Sequence, residues 1–284
     1  MTAGVRSNGR VLAVLVLYGR RPEEAVSWPT ILSLLGRDGP LQLAHCIVHD
    51  NSPERRAILA PTTGISVCWT PENAGTAGAY AGAANAIGTH GCDWLLLLDQ
   101  DTDLPLDYLD RAALVLGEQP DAAALVPRVW HGRVLVSPAT IGKGGGVRPA
   151  AMPMAHAGIP TAISSGVVMR RAAFASVPPF PRAIWLDYVD HWMFLSLARN
   201  GSAIGLIDAD LQHDLSVRTP AALSSARLAG ILAAESAFND AMTGGRHGRL
   251  RLRRMIRAAR HVANGRFDHA WTVIRHTLAR ATSS

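Results

Sequence analysis

Two carboxylates stand directly after the most apolar run of the sequence. Residues 95–98 are four consecutive leucines, and Asp99 and Asp101 follow them. The run predicts a short strand buried on both faces of a mostly parallel sheet, and such sheets bind ligands at the carboxyl ends of their strands. Because alternate side chains of an extended chain point the same way, Asp99 and Asp101 can grip one hard divalent cation, which would neutralise a diphosphate. The plain alternative is two polar residues that merely end a strand.

Three further strand-like runs come before this one. Residues 11–17, 43–48 and 65–69 are apolar and rich in β-branched side chains, and each run ends in a polar loop. Residues 22–36 have apolar side chains at helical spacing, and residues 75–88 are mostly small. This alternation of strands and helices predicts an α/β fold with a right-handed, mostly parallel central sheet flanked by helices. It also places the polar loops along one edge of the sheet.

The alternation continues beyond Asp101 with one interruption. Residues 137–160 contain a glycine cluster around Lys143 and several prolines. Because this segment is too long for an ordinary connection, it predicts a mobile loop near the site. The elements predicted around it are helix 105–119, strands 122–126 and 164–169, a helix that ends near Arg199, strand 203–211 and helical sequence from residue 221 onward.

The composition excludes several classes of protein. With 284 residues and 48% hydrophobic content, the chain can bury a substantial core and is not wholly disordered. No apolar run approaches the roughly 18 residues of a membrane span, and residues 1–10 lack the apolar region of a signal peptide. The three cysteines have no metal-ligand spacing. We therefore expect a cytoplasmic protein that is soluble or peripheral on the inner face of the plasma membrane.

The positive charge is concentrated at the C-terminal end. The whole chain has a net charge of +6, but residues 244–284 carry ten arginines and one acidic residue, a charge of +9 that leaves −3 for the rest. Apolar residues recur there at helical spacing, with arginines between them, which predicts two basic amphipathic helices. These helices suit an anionic membrane surface, or else they pack on the main domain or a second subunit and expose their arginines. No nucleic-acid recognition motif accompanies the charge, so nucleic acid is not an expected partner.

Several short motifs follow one another in a fixed order along the chain. They are Tyr18, residues 48–52, 73–75, 98–102, 165–166 and 186–190, and a late His213. In type and order they resemble the motifs of family 2 glycosyltransferases. The motifs Asp-Gln-Asp-Thr at 99–102 and Asp-Tyr-Val-Asp at 187–190 are most similar to those of the bacterial rhamnosyltransferase branch. The resemblance covers about residues 11–218.

The resemblance implies a GT-A fold over residues 11–218, with a flexible N-terminus at 1–10 and a C-terminal helical basic region at 219–284. It implies an inverting hexosyltransferase that moves a sugar from a UDP- or dTDP-sugar to a saccharide or lipid-linked saccharide in cell-surface polysaccharide biosynthesis, with rhamnose as the candidate sugar. Mn²⁺ or Mg²⁺ is the implied cofactor. A catalytically inactive nucleotide-sugar binding or assembly subunit remains the alternative, and a homo-oligomer is compatible with either.

The same resemblance assigns roles to residues on the donor side. It implies that Asp50 accepts a hydrogen bond from the imide of uracil or thymine and that Tyr18 lies beside the base. Asn73 and Gly75 would border the nucleotide. Asp99 would lie near the ribose and the metal, Asp101 would bind the metal directly, and His213 would supply a further ligand to the metal or to the diphosphate.

Inversion by a single displacement needs one general base for the acceptor hydroxyl. Asp190 matches the acid that the family places before its late helix, Asp187 is the competitor, and capping of a helix start is the structural alternative for both. Trp185 is a candidate to stack on the acceptor sugar, and Ser165 and Gly166 are candidates to border it. A core position is the competing explanation for Trp185, and tight packing is the competing explanation for Gly166.

A sugar-phosphate nucleotidyltransferase would also have an α/β core, but it needs a glycine- and lysine-rich phosphate loop after the first strand. The residues at that place are Tyr18-Gly19-Arg20-Arg21. The chain also departs from the rhamnosyltransferase pattern at His191, Trp192 and Ser196 and in residues 228–235. These departures lie toward the acceptor side, so the identities of the transferred sugar and the acceptor stay open.

Overall fold

The computed structural model of the chain describes residues 9–150, 158–212 and 223–279. Its central feature is an eight-stranded sheet. The strands of this sheet are β1 (Gly9–Leu17), β2 (Leu41–Asp50), β3 (Ile65–Trp69), β4 (Trp94–Asp99), β5 (Ala124–His131), β6 (Val134–Ser137), β10 (Val168–Arg170) and β11 (Ile204–Gln212).

Most strands of the sheet run in one direction. The order is β11-β5-β10-β4-β1-β2-β3, with β6 paired to β5. β10 is antiparallel to both β4 and β5, whereas β11 is parallel to β5, and β1 is parallel to β2 and β4. The predicted mostly parallel sheet is confirmed. It follows that β1 to β5 and β11 all end at the same edge.

Helices cover both faces of the sheet, as predicted. β4 explains why: Leu96 and Leu98 belong to one hydrophobic core, and Leu95 and Leu97 belong to the core on the opposite face. A strand without a polar face can be stable only between two layers. The helices are α1 (Trp28–Leu34), α2 (Gly75–Ala86), α3 (Tyr108–Glu118), α4 (Arg171–Ala175), α5 (Val189–Arg199), α6 (Ser225–Thr243), α7 (Gly248–Ala263) and α8 (Phe267–Ala279).

Two predicted elements are shorter than expected. The helix predicted over 22–36 is a 3₁₀ turn at Pro22–Glu24 followed by α1, because Pro29 fits only the first turn of a helix. The strand predicted over 164–169 is confined to β10. Gly166, with a φ of 82°, turns the chain before that strand can begin.

The predicted mobile loop at 137–160 is partly wrong. Three short strands in this region, β7 (Ala139–Ile141), β8 (Val147–Pro149) and β9 (Ile159–Thr161), form a second, antiparallel sheet. Three-residue strands show too little alternation to be recognised in a sequence. Residues 151–157 lie outside the described part of the chain.

The C-terminal helices were predicted correctly, but α6 belongs partly to the main core. Ala234 and Phe238 of α6 pack into the core that also holds Tyr80 and Phe194. A smaller core, formed by Leu228, Leu232, Ala258 and Val273, joins α6 to α7 and α8. None of the described helices combines the length and apolarity that crossing a bilayer requires.

Candidate active site

The two carboxylates that follow β4 lie in a tight turn. The Thr102 N–H donates to the Asp99 carbonyl at 3.2 Å, and the Thr102 hydroxyl accepts from the Asp99 N–H at 3.2 Å. Asp101 is therefore inside a turn, and the expectation that strand alternation aligns it with Asp99 was wrong. The turn still places both residues at the carboxyl edge of the sheet.

Buried hydroxyl groups surround Asp99. The Ser165 hydroxyl donates to the Asp99 carboxylate at 2.8 Å, and the fully buried Tyr80 hydroxyl donates to Ser164 at 3.0 Å. The pKa of Tyr80 is held well above its ordinary value, first by burial and then by the charge of Asp99, with a smaller effect from Asp190. Tyr80 thus lies close enough to both carboxylates to respond to their charges. Tyr80 was not predicted as a site residue from the sequence, although a single large aromatic side chain among the glycines and alanines of α2 is a usable signal.

Asp50 orders the loop after β2. Its carboxylate is fully buried and accepts from the backbone N–H groups of Ser52 at 3.0 Å, Arg56 at 2.6 Å and Ala57 at 2.8 Å. Burial raises the pKa of Asp50, but hydrogen bonds from Ser52, Ala57 and Arg56 outweigh it and hold the pKa below its ordinary value. Recognition of a nucleotide base by Asp50 stays a prediction, and it requires the fully buried carboxylate to become accessible.

Asn51 fastens this loop to the start of α2. Its side chain accepts from the Ala74 N–H at 3.1 Å and donates to the Gly75 carbonyl at 3.2 Å. Asn73 adopts a left-handed φ of 55° and accepts from the Gly75 N–H at 3.1 Å. Left-handed backbone in a non-glycine residue is strained and often marks a functional loop. Asn51 was not selected as a site residue from sequence, yet it joins two predicted nucleotide-binding segments.

The loop after β1 is tied to its neighbours in the same way. The Gly19 N–H donates to the Ser52 hydroxyl at 2.8 Å, and the Tyr18 N–H donates to the Gln100 side-chain carbonyl at 2.9 Å. The Tyr18 ring itself is 55% exposed, so it is accessible to a ligand. The loops after β1, β2 and β4 therefore form one connected rim.

Residues 185–186 dock on the start of α2. The Trp185 carbonyl accepts from the Ala77 N–H at 3.0 Å, and the Leu186 carbonyl accepts from the Thr76 hydroxyl at 3.3 Å. A Cβ at Gly75 would overlap the Trp185 carbonyl oxygen, which explains why this position requires glycine. This contact brings the segment of Asp187 and Asp190 to the rim.

The two candidate bases have different surroundings. Asp187 forms a bidentate ion pair with Arg227 of α6, in which the two terminal guanidinium nitrogens each donate to one carboxylate oxygen. Asp190, in the first turn of α5, accepts from the His191 N–H at 2.8 Å and is 22% exposed at its side chain. His191 in turn contacts the Thr161 hydroxyl at 2.7 Å. The residue before α5, Tyr188, has a left-handed φ of 65°.

The predicted acceptor residues divide into two kinds. Ser165 is fully buried against Asp99, and a Cβ at Gly166 would lie 2.6 Å from Leu211 and 3.0 Å from the Tyr108 hydroxyl. Both residues therefore shape the floor of the rim. Trp185 is 38% exposed and lines a cavity of about 760 Å³ between α2, α4 and residues 177–185.

The donor set at the rim suits a hard divalent cation but is incomplete in the described residues. Asp99 and Asp101 offer carboxylate oxygens, which Mg²⁺ and Mn²⁺ prefer, and diphosphate oxygens commonly complete such sites. The described part of the chain contains no cluster of three metal-ligating side chains. β11 ends at this edge with Gln212, and the predicted ligand His213 lies outside the described residues.

The strand order, the helical layers and the rim of loops at the carboxyl edge define the GT-A fold of glycosyltransferases. Two solved structures share it: GalNAc-T7 with UDP, GalNAc and Mn²⁺ (TM-score 0.55, 11% identity, 82% of this chain and 49% of that chain), and residues 1–349 of TarS from S. aureus (TM-score 0.51, 12% identity, 97% of this chain and 92% of that chain). The present chain thus spans about half of the GalNAc-T7 chain. No protein-family model and no curated protein matches the sequence.

Proposed function

We propose that the protein is an inverting, metal-dependent glycosyltransferase that uses a UDP- or dTDP-sugar, with rhamnose as one candidate sugar. The observation that carries this proposal is the convergence at one sheet edge of the Asp99–Asp101 turn, the rim that contains Tyr18, and the start of α5 with Asp190. This edge therefore offers candidate residues to bind a nucleotide-diphosphate donor, to hold a cation and to act as the general base.

On the donor side, Tyr18 lies against the base, and Asn73 and Gly75 border the nucleotide. Asp99 and Asp101 would hold Mn²⁺ or Mg²⁺, with His213 as a further candidate ligand, and a cation there would supply positive charge to the leaving diphosphate. Ser165 and Tyr80 orient the Asp99 carboxylate through hydroxyl groups. Such fixed donors stabilise charge efficiently because they need no reorganisation during the reaction.

On the acceptor side, Asp190 removes the proton of the acceptor hydroxyl as the sugar is transferred. The carboxylate is partly exposed; within the described residues it accepts from the His191 N–H, and the His191 Nδ1 atom lies 3.8 Å away. Asp187 is the weaker candidate because the bidentate bond from Arg227 occupies both of its oxygens. A base must be within hydrogen-bond reach of the proton that it takes.

The cavity beside Trp185 accommodates an apolar portion of the acceptor. Small residues of α2 (Ala77, Gly78, Ala81, Ala84) and residues 177–184 line it, and Arg171 and Arg182 also border it. In the described part of the chain, neither arginine is paired with a carboxylate. Apolar walls bordered by cations suit a saccharide carried on a lipid phosphate.

The test is binding of UDP and dTDP by calorimetry with and without Mn²⁺, followed by nucleotide release from UDP- and dTDP-sugars. We expect metal-dependent binding that Asp101→Asn weakens by at least about tenfold, since a ligand to the cation is lost. Asp103→Asn is the matched control, because Asp103 is an exposed carboxylate in the same loop. Absence of nucleotide binding with metal present would refute the proposal. Binding without release in the presence of a broad acceptor panel would instead indicate the inactive binding subunit.

A further inference from the structure

Helices α7 and α8 turn their large apolar side chains outward. Leu252 is 64% exposed, Phe267 67% and Trp271 63%, although all three belong to the apolar stripes of amphipathic helices. Such side chains normally face a core. The outward apolar residues, here called the C-terminal apolar face, are Leu252, Met255, Ile256, Val262, Phe267, Trp271 and Leu278.

The same helices turn charge inward. Arg254 is 2% exposed and donates to the buried Glu235 of α6 at 2.9 Å, and Arg253 and Arg257 contact the other Glu235 oxygen at 3.3 Å and 3.1 Å. Arg254 also donates to Ser236 at 2.8 Å. A buried guanidinium needs this many partners because its desolvation is costly. The orientation of α7 is therefore fixed by specific polar contacts.

Both helices keep their exposed apolar residues outside their contacts with α6. Ala258 of α7 and Val273 of α8 pack on Leu228 and Leu232 of α6. On α8 the exposed Phe267 and Trp271 lie about 120° and about 160° around the helix axis from Val273, since one residue advances the helix by about 100°. On α7 the exposed apolar residues range from about 40° from Ala258 at Val262 to about 160° at Ile256. The exposed apolar residues of each helix therefore lie outside its contact with α6.

We infer that the C-terminal apolar face lies on an anionic membrane surface. Exposed arginines at 249, 260 and 275 accompany it, and none of them has a carboxylate partner within the described residues. Apolar side chains that enter the headgroup region, flanked by arginines that meet lipid phosphates, are the features of an interfacial helix. On α7 the exposed apolar residues are already turned outward, because contacts of three arginines with Glu235 fix the rotation of this helix.

The positive charge beside the C-terminal apolar face favours an anionic membrane, rather than a second copy of the protein, as the surface that covers this face. Arg249, Arg260 and Arg275 are exposed beside the face, so pairing two such faces would bring these like charges together. An anionic bilayer complements them. The inference is independent of the proposed activity, since the residues of the face are separate from those of the sheet-edge site.

The experiment is flotation of the full chain with vesicles of phosphatidylcholine alone or with about one third phosphatidylglycerol. The full chain should float only with the anionic vesicles, and less as salt is raised. The double variant Phe267→Glu, Trp271→Glu should lose binding at least about tenfold, because two charges replace the inserted side chains. The single variants Arg249→Gln, Arg260→Gln and Arg275→Gln should each weaken binding to the anionic vesicles roughly fivefold.

Leu114→Glu is the matched control, since Leu114 is 71% exposed on α3, outside the face. It should float like the unchanged chain. Circular dichroism and UDP binding of each variant report whether the fold and the sheet-edge site are intact. No flotation of the unchanged chain, equal flotation of the double glutamate variant, or sedimentation that shows a dimer dissociated by this variant would each overturn the inference.

Discussion

Asp187 and Asp190 are three residues apart and differ in their partners. Arg227 holds both oxygens of Asp187, whereas Asp190 is held by the N–H of the next residue and keeps part of its surface accessible. A carboxylate in a bidentate pair is poorly placed to accept a proton, because protonation would break the pair. At the scale of single residues, the structure therefore separates a positioning carboxylate from a candidate base.

We expect Asp190→Asn to lower kcat by about 10²- to 10⁴-fold while nucleotide affinity is unchanged, since a general base contributes to the chemical step alone. Asp187→Asn should act differently. It leaves Arg227 without its counter-charge, which should lower the melting temperature together with the activity. The measurement is sugar-nucleotide turnover alongside thermal unfolding of both variants. Normal turnover by Asp190→Asn would contradict the assignment.

The residue types of the motifs predicted that the loops meet at one edge of the sheet, but they did not predict the hydrogen bonds between those loops. The motif at 98–102 correctly located the sheet edge, because an apolar run ending in carboxylates has few other structural solutions. The hydrogen bonds of Asp50 to residues 52–57 and of Ser165 to Asp99 were not predictable, since they depend on loop paths. The position of Tyr80 near Asp99 depends on how α2 packs against the sheet, which the sequence does not indicate.

At the scale of elements, the alternation of strands and helices was sufficient to predict the parallel sheet. It failed for short or special elements: three-residue strands β7 to β9, and α1, where Pro29 delays the helix. It also gave the extent of α7 and α8 but not their rotation. Apolar spacing predicts which residues share a face, whereas the buried Glu235 decides which face turns inward.

Helix α6 links the site to the C-terminal helices. Its Arg227 holds Asp187, its Phe238 ring lies 5.5 Å from that of Tyr188, and its Glu235 anchors α7. The pKa of Tyr188 is raised by burial and then by the charge of Glu235. The start of α5 is therefore supported by α6, and the arginine cluster stands directly behind it.

Replacing Glu235 tests this support. Glu235→Leu should destabilise the protein by about 3–5 kcal/mol, because Arg254 remains buried without a counter-charge. Adding Arg254→Met should restore much of the loss, since an apolar pair of similar volume can replace a buried ion pair. Arg253 and Arg257 are one-third exposed and can turn to water. Equilibrium unfolding in urea measures both variants. Equal destabilisation of the single and double variants would contradict this account.

At the scale of the whole molecule, three histidines whose pKa folding lowers make stability depend on pH below neutrality. Burial lowers the pKa of His49 and His261, and burial with the neighbouring charge of His90 lowers the pKa of His45. The unfolded chain takes up these protons near the ordinary histidine pKa of about 6.5, before the folded protein does. Stability must therefore decrease as the pH falls through this range.

Asp50 extends the same trend to lower pH. Its folded pKa lies below the ordinary value, so its stabilising effect is complete above the unfolded pKa of about 3.9 and is lost as the pH falls through the folded pKa. We expect the urea midpoint to decline as the pH falls from about 7.5 toward about 5.5, and to decline again below about pH 4. His49→Gln should reduce only the first decline, because it removes a buried group that resists protonation. A midpoint that rises on acidification from pH 7 would contradict the prediction, because folding lowers the pKa of all four of these groups.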